Sequence, residues 1–126
     1  MLLSEAYTLC AQIAHEAYRA WCCAMGDSSQ VHWEDAPEWQ RISCINGVKR
    51  VIQGGKTPEQ VHESWLREKE KHGWKYGPAK DASKREHPCI MPFNDLPAEQ
   101  KAKDVLFVLT VQSVISSLSE KLSKEV

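Results

Sequence analysis

The sequence predicts a mainly α fold: a compact single domain of about four helices, with a short strand and loop element before the last. Three observations carry this reading. Apolar residues recur at three- and four-residue steps in separate stretches along the chain. Capping residues or prolines precede those stretches, and glycines close the first three. Between Gly73 and Asn94 the helical rhythm stops, and Gly, Pro and aromatic residues crowd together. A chain of 126 residues suits one domain around one core, so residues 1–126 are read as a single unit.

Ser4 is placed to cap the first helix, with Glu5 in the first turn, where a carboxylate complements the helix dipole. Tyr7, Cys10, Ile13/Ala14, Ala17/Tyr18, Trp21 and Met25 form its apolar stripe, and Gly26 ends it. His15, beside that stripe, reads as a hydrogen-bonded structural histidine. Asp35 or Ala36 caps the second helix, and Pro37 suits its first turn because the missing N–H would be unpaired there. Trp39, Ile42, Ile45, Val48 and Ile52 are its expected buried face. Gly47 inside it costs about 1 kcal/mol relative to Ala, which points to close packing at that position. Gly54-Gly55 terminates it.

Thr57-Pro58-Glu59-Gln60 is a capping box that opens the third helix. The helix is expected to reach His72, with Gly73 closing it and Trp74 set for the contact that often follows such a cap. Its apolar anchors are few (Val61, Trp65 and Leu66), so packing through Trp65 is expected, with His62, Trp65 and Lys69 sharing one side. Trp74-Lys75-Tyr76 alternates like a short strand, for which Cys89-Ile90-Met91 is the expected partner. Asp95 or Leu96 caps the last helix, with Pro97 in its first turn. Val105 to Val111 is apolar on every side, which predicts a helix buried nearly all round. Val108, Val111, Ile115, Leu118 and Leu122 also step in a way that permits a coiled-coil contact, and with it a homo-oligomer. No internal repeat is visible.

Composition narrows the function classes. The net charge of −1 supplies no global field toward nucleic acid or membrane, so neither is an expected partner. No apolar run approaches the roughly 20 residues of a membrane helix, and the acidic start is unlike a secretory signal. A cytoplasmic setting is expected. The five cysteines are odd in number, include the adjacent pair Cys22-Cys23, and show no Cys-x-x-Cys. They read as reduced thiols, and no metal site or cofactor is expected. Five tryptophans are the compositional oddity, and core filling is their first explanation.

The chemistry-bearing residues concentrate between Thr57 and Asp104. A flat anionic ligand, such as a nucleotide, needs an aromatic plane, cations for phosphate, and polar groups to read its edge. Trp33, Trp39, Trp65, Trp74 and Tyr76 are candidates for the plane. Arg19, Arg41, Lys75, Lys80 and Lys84 are candidates for phosphate, and His62, Glu63, Asp81 and His87 for the edge. The expected pocket lies where the helix of Trp65 meets the connection from Trp74 to His87. There is no P-loop and no Gly-x-Gly-x-x-Gly, so phosphate binding would use another geometry. Lys80-Asp81 also reads as a plain surface ion pair.

The order His15-Glu16, Arg19, Trp33, Trp39, Glu63-Ser64-Trp65, Gly73-Trp74-Lys75-Tyr76-Gly77, Lys80-Asp81, His87-Pro88, Leu96-Pro97 and Lys103-Asp104 resembles the ryanodine receptor repeat, or RyR domain. The resemblance covers residues 9–112, with 113–126 extending the last helix. It implies a mainly helical fold with a little strand. Calcium conduction does not carry over, because the chain has one copy and no channel segment. Stand-alone bacterial and phage members imply ligand recognition, including nucleotide-derived signals, in defence and counter-defence.

The resulting expectation is a non-catalytic ligand-binding module for a small anionic or nucleotide-derived molecule. Its expected ligand residues are Trp33, Trp39, His62, Trp65, Trp74, Tyr76, Lys80, Asp81 and His87. Catalysis is the weaker reading: there is no nucleophile elbow and no His-Glu-x-x-His, although Lys80, Asp81 and His87 contain an acid, a base and a cation. A protein-interaction or oligomerisation module using the apolar last helix is the alternative.

Overall fold

Small side chains bring the helices together. In a computed structural model, which describes residues 1–54 and 57–125 except for the side chains of 120 and 122–125, four helices surround one core. They are α1 (Leu3–Ala24), α2 (Glu38–Gly54), α3 (Pro58–Lys71) and α4 (Ala98–Glu125). Cys10, Ala11 and Ala14 of α1 meet Val48 and Val51 of α2, Val108 and Val111 of α4, and Trp33. The largest fully buried side chains are only Val48, Val108, Val111 and Cys10. A core of this size lets helix backbones approach closely, and each methylene lost from it would be felt.

Three expected faces are therefore corrected. On α1 the buried residues are Ala6, Cys10, Ala11, Ala14, His15 and Cys22, whereas Ile13 and Met25 are exposed. On α2 the buried side is Val48 and Val51, backed by Cys44 and Ile45, while Trp39, Ile42 and Ile52 face solvent. On α3 the buried anchors are His62 and Leu66, with Trp65 only half-buried. Nor is α4 buried all round. Val108, Val111 and Leu118 are covered, but Val105 and Leu109 are exposed. The stripe that suggested a coiled coil thus supplies the chain's own core; the Leu122 side chain lies outside the described residues. By length and composition alone, Ala98–Ser119 is apolar enough to cross a membrane, contrary to the reading of the sequence.

Helix ends follow local chemistry. α1 begins one residue before Ser4, and the Glu5 carboxylate accepts the Leu2 N–H at 3.2 Å. At the far end Gly26 takes φ +89°, and the N–H groups of Gly26 and Asp27 donate to the carbonyls of Cys23 and Cys22. This satisfies carbonyls the helix leaves open. α3 has both bonds of its box: Thr57 Oγ1 accepts from the Gln60 N–H at 3.1 Å, and Gln60 Oε1 from the Thr57 N–H at 3.2 Å. It stops at Lys71, with Gly73 at φ +83° and the Trp74 N–H donating to the Lys69 carbonyl. Gly47 faces Phe107, whose ring would stand 3.1 Å from a Cβ placed there, so the close packing expected at this glycine is present. Gly55, expected to help end the second helix, lies outside the described residues.

Although no repeat is visible in the sequence, one local unit occurs twice. Trp33–Asp35 and Phe93–Asp95 are 3-10 turns, each followed by an extended, buried apolar residue (Ala36, Leu96) and then a proline. The same bonds recur: Ala36 N–H to Trp33 O, and Leu96 N–H to Phe93 O. Pro37 and Pro97 then accept the first helical bonds, from the N–H groups of Arg41 and Lys101. The prolines therefore precede α2 and α4 rather than sitting in their first turns, and Asp35 and Asp95 cap neither helix. Before α2, α1 holds this unit with two adjacent side chains. His15 Nε2 donates to the Val31 carbonyl at 2.6 Å, and Glu16 accepts the Trp33 N–H at 2.9 Å and the Arg19 Nε–H at 2.8 Å. Arg19, then the Trp33 N–H, hold the Glu16 carboxyl down to about 2.

The strand element also differs from expectation. β1 (Lys75–Tyr76) pairs in parallel with β2 (Glu86–His87), not with Cys89-Ile90-Met91; Lys75 stands opposite Glu86 and Tyr76 opposite His87. Parallel strands normally need a long crossover. Here the connection is short because it doubles back on itself: Asp81 and Glu86 exchange backbone bonds at 2.9 and 3.0 Å, and Arg85 turns at φ 54°. Gly77 is buried against Glu86, and a Cβ there would lie 2.5 Å from the Glu86 Cβ. Gly77→Ala is expected to force β1 and β2 apart and to destabilise the fold by about 1–3 kcal/mol. Urea unfolding followed by circular dichroism checks this; an unchanged midpoint would refute it.

Candidate functional site

Helical spacing brings one side of every helix to a single cavity of about 500 Å3. α1 contributes Ala14, His15 and Tyr18; α2 contributes Trp39, Ser43, Cys44, Gly47 and Arg50; α3 contributes Val61, His62 and Trp65. His87 and Cys89 come from the strand element, and Gln100, Lys103, Asp104 and Phe107 from α4. Within each helical set the residues stand one, three or four positions apart, which places them on one side of the helix. The small side chains Ala14, Ser43 and Gly47 leave the volume, and aromatic rings border it.

The rings are held by one another and by the backbone. Trp65 lies edge-on to His87, centroids 5.0 Å apart, and 5.4 Å from His62. His62 also lies 6.0 Å from Phe93, and its Nε2 donates to the Met91 carbonyl at 2.8 Å. His87 Nδ1 accepts the Cys89 N–H at 3.0 Å. A neutral His87 therefore carries its proton on Nε2 and is a hydrogen-bond donor there. Burial, then the nearby Lys80, Lys69, Lys103 and His62, lower its pKa below the ordinary 6.5, which favours the neutral ring.

Positive charge accumulates around these rings. Lys69 stands 4.4 Å from the centroid of Trp74 and 6.0 Å from that of Trp65, and Lys103 stands 4.7 Å from that of Tyr18. Burial, then Lys80 and Arg50, lower the Lys69 pKa, so these cations feel one another. Among the described residues no carboxylate lies within ion-pair distance of Arg50, Lys69, Lys80 or Lys103. Asp104 is the one carboxylate among the described lining residues. Burial pushes the Cys44 thiol up to about 11, and burial followed by Asp104 raises Cys89. Neither thiol is primed as a nucleophile at neutral pH. Among the described residues, no group of three His, Cys, Asp or Glu side chains converges as a metal-ligand set.

The expected site residues divide into two groups. Trp39, His62, Trp65 and His87 share the cavity. Trp33 is buried in the core cluster, and Trp74, Tyr76, Lys80 and Asp81 do not line the cavity. Asp81 is occupied by its own turn: its Oδ1 accepts from the Ser83 N–H, the Ser83 hydroxyl and the Lys84 N–H at 3.0, 2.7 and 3.2 Å. Trp74 and Lys69 close the end of α3, where a cation–π contact stands in for the apolar contact expected there. The cavity thus extends away from the Trp74 connection toward α1, α2 and α4. Arg50, Gln100, Lys103 and Asp104 were not among the expected ligand residues, although Lys103-Asp104 is one of the matches to the RyR pattern. As to the tryptophans, only Trp33 is buried, and Trp39 is 68% exposed, so core filling does not explain the set.

Four helices around one cavity, with a minimal parallel strand pair ahead of the last helix, define the class of domain. Residues 42–122 match the RyR domain family, and the protein belongs to that family. The match begins later than the resemblance read from residue 9 and runs further into α4.

The His87 shift has a consequence for stability. Below pH 6.5 the unfolded chain takes up a proton at this ring more readily than the folded one, so acidification favours unfolding until folded His87 is itself protonated. Stability should therefore fall as pH drops through and below 6.5, and His87→Gln should flatten that part of the profile. Burial raises Asp104, so its contribution runs the opposite way and lies nearer 3.8. Thermal melts across this range compare the two chains; identical slopes would refute the assignment.

Proposed function

We propose that this RyR domain is a non-catalytic binding module for a small anion that carries a flat ring, a nucleotide-type molecule being the representative case. One observation carries the reading: Arg50 and Lys103 line a cavity bordered by Trp39, Trp65, His62 and His87, Lys69 and Lys80 stand close enough to act on its rings, and among the described residues no carboxylate is within ion-pair distance of any of the four. Cations that repel one another are costly to gather and become favourable once an anion sits among them. The neutral His87 offers an N–H donor to the same anion. Trp39, exposed yet on the cavity wall, offers a stacking plane. The raised Cys44 and Cys89 thiols on the cavity wall favour binding over turnover.

Thermal unfolding against mono-, di- and cyclic nucleotides, ADP-ribose derivatives and pyrophosphate tests this. Ligand at 100 times its dissociation constant adds about 2.7 kcal/mol, which raises the melting temperature by several degrees. Arg50→Ala and Lys103→Ala should each shrink the shift, and added salt should weaken it. No shift from any anion would overturn the reading.

Exposed Ile42 and Ile52 on α2, with Val105 and Leu109 on α4, favour a second reading as a protein-interaction or self-associating module. On that reading the protein sediments as a dimer at micromolar concentration, and Leu109→Glu returns it to a monomer. A monomeric wild-type chain would remove the self-association.

A further inference from the structure

Asp104 is out of keeping with the rest of the cavity wall. The cavity otherwise presents cations and neutral rings, yet this carboxylate stands on α4 between Lys103 and the apolar residues that follow. The Gln100 side chain, one turn earlier, donates from Nε2 to Asp104 Oδ1 at 2.9 Å and so fixes the plane of the group. Oδ2 has no hydrogen-bond partner among the described residues. His62 from α3 and Lys103 from α4 are its favourable electrostatic neighbours, and neither is within ion-pair distance. Burial raises its pKa, a sign that the charge is poorly compensated. Oδ2 is not sealed from solvent, so a ring donor entering the cavity would exchange with water at an acceptor already held in one orientation.

A bare anion does not supply that donor, and it would be repelled by the carboxylate. A ring with a carbonyl at the same place would set two acceptors face to face. A ring with an amino or N–H group would complete the bond. The two arms of this discrimination, one new bond against one repulsion, are what make polar recognition selective.

Resting on the anion-binding reading above, we propose that Asp104 is the specificity-determining acceptor of the cavity. Among anionic ring-bearing molecules it selects those whose ring presents an amino or N–H donor, and it rejects those presenting a carbonyl there. Gln100 is its positioning residue. Arg50 and Lys103 hold the anionic part without distinguishing one ring from another.

Paired probes that differ at the amino position test this with the full chain by calorimetric titration: AMP against IMP, and CMP against UMP, with pyrophosphate as the ringless control. The wild type should prefer the amino member of at least one pair by about tenfold or more. Asp104→Asn keeps the oxygen that accepts from Gln100 and replaces the free oxygen with a donor. That variant should lose the preference or reverse it, while pyrophosphate binding is kept or strengthened. Gln100→Leu, which frees the carboxylate to rotate, should reduce the preference with little change for pyrophosphate. A wild type indifferent within both pairs, or Asp104→Asn with its preference intact, overturns the proposal. Pyrophosphate binding in the same titrations would then leave the anion site standing. Failure of every nucleotide to bind also overturns it, and the pyrophosphate result shows whether the anion reading falls with it.

Discussion

The close approach of α1 to α2 and α4 is the constraint on which the other features depend. Cys10, Ala11 and Ala14 are all but inaccessible, and they share one cluster with four valines and a single large ring, Trp33. Such a core gains its stability from backbone proximity and dense contact more than from the area of any one side chain. Apart from Trp33, the large rings stand outside this centre. Trp39, Trp65, Tyr18 and Phe107 border a cavity at the edge of the core rather than plugging it. The cavity is a by-product of where the bulk is absent.

Helix boundaries were the most legible part of the fold, since they are set by chemistry within a few residues. The Thr57 box and the Gly26 and Gly73 turns appear where their residue types demand. Which side of each helix is buried was less legible. Counting bulky residues selected Trp39, Ile42, Ile45, Val48 and Ile52 on α2, yet only Ile45 and Val48 of these join the packed side, with Cys44 and Val51. Small residues give almost no signal in a hydrophobic stripe, although they decide how near two helices lie. Pairing of Lys75–Tyr76 with Glu86–His87 was missed for a different reason: it depends on a turn at Asp81 to Arg85 that folds the connection back.

For the candidate site, the rings were easier to see than the charges. His62, Trp65 and His87 stand out in a polar helix and an irregular connection, where a purely structural role is hard to assign from pattern. Arg50, Lys103 and Asp104 look like ordinary surface charges on helices, and only the tertiary arrangement brings them to one wall. Asp81 differs in the other direction. A residue conspicuous in sequence lies outside the cavity, with its Oδ1 engaged by its own turn.

The family match starts at residue 42, after α1 and the first 3-10 turn are complete. Yet α1 supplies Cys10, Ala11 and Ala14 to the core, and Ala14, His15 and Tyr18 to the cavity wall. Residues 42–122 by themselves leave that side of the core and of the cavity open, and the preceding helix closes it. Without that helix, Val48, Val51, Val108 and Val111 would lose the small side chains that cover them, and the cavity would lose one wall.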